Sequence, residues 1–226
     1  MGFQDRYHGF AELAREAREG RDYRRVVEGC GGEIAIVAPH GGGIEPGTSE
    51  IARALAGREI ARALTGREVA RAVAGREFEL YCFEGLRPEG NDELHIASHR
   101  FDEPTAMRLV ARVRVVVAVH GCAGVHQAVY VGGLDRHLRE RLIAVLRQAG
   151  FEAERATGDL AGCYASNICN RGRSGRGVQL EITEGLRLAM FEALSWRGRE
   201  RTTAVFERFV AAVRGVFAAG VRTTAD

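Results

Sequence analysis

Two histidines and two glutamates carry the chemistry most readily read from this chain. His40 and Glu45 lie in APHGGGIEPGTSEIA, His120 in VVVAVHGCAG and Glu181 in GVQLEIT. Each lies inside or just after a run of β-branched and aliphatic residues. A parallel sheet delivers such side chains to a shared crevice at the carboxyl ends of its strands. Two neutral imidazoles and one carboxylate form a common catalytic zinc set with a fourth position open for water. The remaining glutamate is then free to take a proton from that water.

Each residue also has a plainer reading. The glycines between His40 and Glu45 let the backbone bend both side chains onto one ion, but they also suit a simple turn or a phosphate-cradling loop. His120 ends a strand too apolar to be exposed, where a histidine can equally be a satisfied core residue. Cys122, two residues on, is an alternative ligand or mere packing. In Val178–Thr183, period two places Gln179, Glu181 and Thr183 on one face and Val178, Leu180 and Ile182 on the other. The polar face is either a cleft wall or a solvent-facing edge. His95 and His99 flank a short extended stretch and are expected to be structural. His8, His126 and His137 carry no signal.

The elements that must position these groups follow from pattern. Residues 10–27 are charged and helix-like. Strands are expected at 33–38, 78–83, 95–97, 113–119, 129–131 and 178–183. The run at 113–119 is nearly all Val and Ala, as in a strand buried on both faces. A helix capped by Asp102, with Pro104 in its first turn, follows the 95–97 strand. Leu134 to Gln148 has helical periodicity with Gly150 as a stop. Most of the chain after Thr183 reads as helix, to about Ala219. Alternating strands and helices imply an α/β fold with a mostly parallel or mixed central sheet flanked by helices.

The bulk numbers agree. The 226 residues suffice for a single domain over 1–226 with a real core, and 46% hydrophobic with 27% charged is ordinary for a soluble enzyme. A net charge of +2 makes no case for nucleic acid or membrane as partner. All 32 basic residues are arginine, so the site has guanidinium forks to offer and no lysine amines. Five cysteines without a CxxC pair, and no apolar signal segment, read as reduced thiols in a cytoplasmic, monomeric protein.

One stretch departs from ordinary composition. EIARALAGR, EIARALTGR and EVARAVAGR follow one another over residues 50–76. Nine residues turn a helix by about two and a half turns, so the apolar face inverts from copy to copy. One continuous helix cannot bury all three on one side. The stretch therefore reads as tandem duplication of a single helix, with only one copy packed against the sheet.

The motifs taken in order, from APHGGGIEPGTSEIARALAG through FELYCFEGLRPEGNDELHIASHRFDEP, VVVAVHGCAG, VYVGGLD, NICNRGRSGRGVQLEIT and GLR, resemble the poly-γ-glutamate hydrolase family. This family comprises small phage and bacterial zinc enzymes, some called phage-related replication proteins. The resemblance spans about Ala35 to Arg187. It implies a fold similar to the zinc carboxypeptidases and hydrolysis of γ-glutamyl amide bonds in poly-γ-glutamate. It implies Zn2+ on His40, Glu45 and His120, and Glu181 as general base and then acid. NICNRGR resembles the carboxylate-binding Asn-Arg pair of carboxypeptidases, although it follows the second metal histidine instead of preceding it. That assigns Asn167, Asn170 and Arg171 to substrate carboxylates, with Arg171 part of the catalytic set. Arg187 is a second candidate, and Arg173 and Arg176 line the approach; a flexible basic loop is the alternative. The rival functions are a zinc amidase or carboxypeptidase for peptidoglycan peptides, and a phage replication-associated nucleic-acid-binding protein. The small net charge speaks against the latter.

Overall fold

The all-apolar run Val115–Val119 can be satisfied only with both faces covered, and it forms the middle of the sheet. The computed structural model describes residues 5–29, 31–57 and 78–218. Its strands are β1 (Tyr23–Glu28), β2 (Ile34–Gly42), β3 (Glu79–Gly85), β4 (Val115–Cys122), β5 (Ala128–Gly132), β6 (Glu152–Arg155) and β7 (Val178–Thr183). They lie side by side in the order β1-β3-β2-β4-β7-β5-β6. The inner four are parallel, β1 is antiparallel to β3, and β5 is antiparallel to β7 and parallel to β6. The fold is thus a single α/β domain with a mixed sheet.

Six α-helices flank the sheet among the described residues: α1 (Phe10–Glu16), α2 (Thr48–Leu55), α3 (Pro104–Val110), α4 (Arg136–Gln148), α5 (Glu184–Met190) and α6 (Ala204–Ala218). On one face Ile36, Val117, Val119 and Leu180 meet Ile51 and Leu55 of α2, Leu142 of α4, Leu186 of α5 and Phe209 of α6. On the other face Val37, Val116 and Ala118 meet Leu13 of α1, Leu109 of α3, and Leu94, Ile96 and Phe101 from the segment between β3 and α3. Among the described residues no helix is long and apolar enough to cross a membrane.

The connectivity creates a crevice. From β2 the chain passes to β3 on one side, while β4 lies on the other side of β2 and leads away toward β5. The loops after β2 and β4 therefore diverge, and the gap between their carboxyl ends is the topological switch point at which α/β sheets bind ligands. His40 and His120 stand at these two ends.

Several expected elements differ. The N-terminal helix stops at Glu16, and Tyr23–Glu28 is an edge strand whose Arg24 and Arg25 find carboxylates on Glu84 and Glu103. Residues 95–97 are not a strand; they follow a 3-10 turn at Asn91–Leu94. Glu103, not Asp102, caps α3 by accepting from Ala106 N at 2.8 Å. Asp102 instead accepts from Phe10 N at 2.6 Å and so serves the start of α1, 92 residues away in sequence. The short polar edge strand β6 has no apolar alternation and was not anticipated. The C-terminal part is two helices separated by a 3-10 turn at Gly198–Glu200 and a bridge between Phe191 and Thr202.

The first copy of the nine-residue repeat supplies α2, whose Ile51, Ala52, Ala54 and Leu55 are buried. The second and third copies lie outside the described residues. The two chain ends that flank them meet: Phe78 N donates to Ala56 O at 3.2 Å. Arg214 independently caps the end of α2, donating to Leu55 O at 2.6 Å. The described residues Ala56 and Phe78, on either side of those copies, thus lie side by side. Loop length costs only about 0.6 kcal/mol per doubling. Deleting Glu59 to Arg76 is therefore expected to leave a folded protein whose melting temperature equals or exceeds the parent's. A melt many degrees lower in a differential scan would show that the extra copies belong to the core.

Candidate metal centre

The loop that carries His40 and Glu45 is built by crowding. β2 breaks register between Ala38 and Gly41, which admits Pro39 into an inner strand. Gly42 then turns with φ +66°, and a Cβ there would lie 2.5 Å from Gly85 O. Glu45 N donates back to His40 O at 2.8 Å, closing the turn so that both side chains face the same way. The amides of this loop are used internally, Gly42 N by Ser49 Oγ and Gly43 N by Gly85 O. No phosphate cradle is left.

The three side chains meet. His40 Nδ1 is 3.0 Å from Glu45 Oε1 and 3.2 Å from His120 Nδ1, and His120 Nδ1 is 3.7 Å from Glu45 Oε2. All three are buried. His40 Nε2 faces the carbonyl of Ile96 at 2.8 Å. A carbonyl only accepts, so Nε2 carries the proton and Nδ1 of the neutral ring presents a lone pair. His120 Nε2 lies 3.2 Å from Ser98 Oγ, and its Nδ1 turns to the same point. Gly121 N donates to Glu45 Oε2 at 2.8 Å and fixes the carboxylate. With both Nδ1 atoms unprotonated, they and the carboxylate around one point repel one another unless a cation lies among them. Tetrahedral ligands at about 2.0–2.1 Å from zinc are roughly 3.3 Å apart, the scale of the three separations here.

Positive charge on the rings would serve in place of a cation. Burial alone would raise the Glu45 carboxyl, but imidazolium charge at His40 and His120 and their hydrogen bonds to it outweigh burial and hold it well below the usual range. His120 is lowered by burial and raised more strongly by Glu181 and Glu45, so its net shift is upward. Glu181 on β7 stands in register with His120 and is buried. That burial pushes its carboxyl up to about 7. Gln179 Nε2 donates to Glu181 Oε1 at 2.9 Å, and Asn167 Nδ2 donates to Gln179 Oε1 at 3.0 Å. The polar face of β7 is therefore buried and hydrogen-bonded, not a solvent-facing edge.

His95, expected to be merely structural, belongs to this cluster. Its ring centroid is 4.0 Å from that of His40, and Nε2 is 3.9 Å from Glu45 Oε1. The ligand atoms of His40, Glu45 and His95 also lie within 4.8 Å of one another. His95 Nδ1 is taken by Asp5 Oδ1 at 2.6 Å. Burial and the nearby His40 lower its pKa to about 4. His120 Nδ1 stands 3.2 Å from His40 Nδ1, so His95 and His120 both have a nitrogen beside the His40–Glu45 pair. Cys122 is a poor alternative: burial and Glu181 push its thiol up to about 12, away from the thiolate that binds metal.

The arginines divide. Arg187 is buried beside the cluster and donates to Ile182 O at 3.1 Å, Pro46 O at 2.7 Å and Cys122 O at 3.2 Å. It ties the ends of β4 and β7 to the loop after β2. Only glycine at 121 leaves it room, because a Cβ there would lie 2.7 Å from the guanidinium carbon. Arg171 is not brought to the cluster. Its neighbour Gly172 packs on the Arg114 carbonyl, and Arg173 reaches Glu33 just before β2, both at the amino ends of the strands. Arg171 is exposed there, Arg173 is held by Glu33, and Arg176 belongs to the same loop. Asn170 is also inward-facing, donating to Gly162 O at 2.8 Å and Tyr164 O at 2.9 Å. NICNRGR is thus a brace for the 160–164 loop, with Asn167 reaching Glu181 through Gln179.

The model of the family described as poly-gamma-glutamate hydrolase matches residues 7–66 and 64–212, the break falling inside the nine-residue repeat. The SPbeta prophage-derived UPF0714 protein YoqZ of Bacillus subtilis (strain 168) is 36% identical over 210 residues, covering 92% of this chain and 69% of that protein. UPF0714 protein YmaC of the same organism is 36% identical over 216 residues, 94% of this chain and 83% of that protein. A solved bacteriophage poly-gamma-glutamate hydrolase superposes with a TM-score of 0.84 at 31% identity, covering 95% of this chain and 97% of that one. The zinc-free form of YndL superposes with a TM-score of 0.83 at 32% identity, covering 96% of this chain and all 100% of that one.

Replacing Arg187 by Met would keep the stem and leave three carbonyls without their donor. A loss of about 2 kcal/mol is expected, or roughly 4–8 °C in melting temperature for a chain of this length. An unchanged melt would mean that the clamp contributes nothing to stability.

Proposed function

The chain belongs to the poly-gamma-glutamate hydrolase family, and from that premise we propose that it is a zinc-dependent hydrolase of γ-glutamyl amide bonds in poly-γ-glutamate. The observation that supports this most directly is the convergence of the His40 and His120 Nδ1 atoms and the Glu45 carboxylate on one point. The donor set of two imidazoles and one carboxylate suits zinc and leaves a position for a fourth ligand. When bound there, zinc supplies a Lewis acid for the amide carbonyl and makes water more acidic.

The chain's own residues carry the protons and the binding. Glu181 takes a proton from the water that attacks the carbonyl carbon, then gives it to the departing nitrogen as the C–N bond breaks. Gln179 occupies one of its oxygens, so the other is free to accept. A carboxyl raised toward neutrality suits both the taking and the giving. Each γ-linked residue carries a free α-carboxylate. Arg187 is the cation beside the cluster, and two of its five N–H groups remain for that carboxylate after the three carbonyls are served. His95, held by Asp5, packs its ring against that of His40.

Incubation of zinc-loaded protein with poly-γ-glutamate should shorten the polymer with time, while cross-linked peptidoglycan peptides stay intact. Cleavage of the peptides alone would favour the amidase reading instead. Glu181→Gln should retain zinc and the fold and lose turnover by orders of magnitude, since an amide cannot accept the proton. In metal analysis after loading, His120→Ala should contain little zinc and His95→Ala close to one equivalent. The reverse pattern would exchange the roles of these two histidines.

A further inference from the structure

His40 and His120 owe their ring orientations to one short stretch of chain. Ile96 O faces His40 Nε2 at 2.8 Å, and Ser98 Oγ lies 3.2 Å from His120 Nε2. Beside them the His95 ring packs on the His40 ring, 4.0 Å between centroids. Residues 95–98 form neither helix nor strand, so no ladder of backbone hydrogen bonds fixes them. The Ile96 side chain is buried in the smaller core, and Ser98 O accepts from Ile168 N at 2.9 Å.

A further hold comes from 90 residues earlier in the chain. Asp5 Oδ1 takes His95 Nδ1 at 2.6 Å, while Asp5 Oδ2 accepts from Ala97 N at 2.9 Å and from the Arg100 guanidinium. A carboxylate accepts only, so His95 Nδ1 keeps its proton on the side of Asp5. The Asp5 side chain is only 3% exposed. Burial would raise its carboxyl, but the bonds from His95 and Ala97 N outweigh burial and lower it. The bonds alternate along the stretch: Asp5 holds residues 95 and 97, and residues 96 and 98 serve the two histidines. Any displacement of the stretch moves both orienting contacts together. The Asp5 carboxylate bonds to none of His40, Glu45 and His120, so it reaches the cluster through residues 95–98.

We propose that Asp5 is a positioning residue for the metal centre: its carboxylate locks residues 95–98 so that Ile96 O and Ser98 Oγ hold the His40 and His120 rings in their ligating orientations. This rests on the metal reading above and extends it to a residue of the amino-terminal segment. Removing a group that orients metal ligands typically weakens metal binding by about 10–100-fold.

The test is zinc affinity, measured by competition with a chromogenic chelator, for the parent, Asp5→Asn and Glu16→Ala. Asparagine keeps the size of the side chain and one acceptor oxygen, but it cannot serve all three donors. Its Kd for zinc should rise by about 10–100-fold. Glu16 ties the same segment through Arg6 and Tyr7. Glu16→Ala should therefore keep the parent's Kd, even with a lower melting temperature. With cobalt in place of zinc, the visible d–d bands of Asp5→Asn should shift in energy or intensity, and those of Glu16→Ala should match the parent. An unchanged Kd in Asp5→Asn, or an equal loss in Glu16→Ala, would overturn the positioning role and leave the metal reading standing. So would an Asp5→Asn protein that fails to fold without metal where the parent folds, since Asp5 would then serve the fold as a whole. A parent that binds no zinc would overturn the metal reading and the positioning role with it.

Discussion

The rest of the site depends on one electrostatic constraint: two imidazole nitrogens and a carboxylate are held within 3.0–3.7 Å of one another in a buried place. With both rings neutral and both nitrogens unprotonated they repel. The surroundings act to prevent their escape. The Ile96 carbonyl sets the tautomer of His40, Ser98 turns His120, and Gly121 N and the closed His40–Glu45 turn fix the carboxylate. A group so held is prepared for a cation before one arrives, and orienting contacts of this kind commonly govern metal affinity. Arg187 sits outside the cluster and anchors the three segments that carry it.

The sheet makes this arrangement possible at low cost. Because the chain turns opposite ways after β2 and β4, a crevice opens without any helix being removed. One face of the sheet, with α2, α4, α5 and α6, forms the larger apolar core. The other face is covered by short elements and by the 91–101 and 158–177 segments. Those segments supply Ile96, Ser98 and Asn167 to the site. The division lets loops shape the chemistry while the helices bear the stability. The described chain on either side of the extra copies, at Ala56 and Phe78, comes together on the large-core face.

Much of this was legible in the sequence, and for identifiable reasons. His120 and Glu181 could be found because period two in a buried strand makes a polar side chain conspicuous. His40 and Glu45 could be found because glycine-rich turns directly after apolar strands are few. The inversion of the apolar face at nine residues implies a single packed copy; the first copy is packed as α2, and the second and third lie outside the described residues. His95 was missed because its importance comes from a loop folding over the cluster and from Asp5, 90 residues earlier, and neither leaves a periodic trace. Asp102 looked like the cap of the nearest helix, while the helix it serves is reached only through tertiary structure. Arg171 misled for a related reason. Its motif marks an Asn-Arg pair, but the direction in which a loop leaves a 3-10 turn is set by packing, here by Gly172 against the Arg114 carbonyl. The edge strands β1 and β6 were obscured because partly solvated edges lack an apolar stripe.

X-ray absorption of the zinc-loaded protein tests the central claim most directly, since it reads the atoms around the ion. The account predicts two imidazole nitrogens and light oxygen ligands at about 2.0–2.2 Å, with no sulfur. A sulfur shell near about 2.3 Å would assign the ion to Cys122 or another thiol. That result, or a single imidazole in the fit, would contradict the convergence of His40, Glu45 and His120 on one metal.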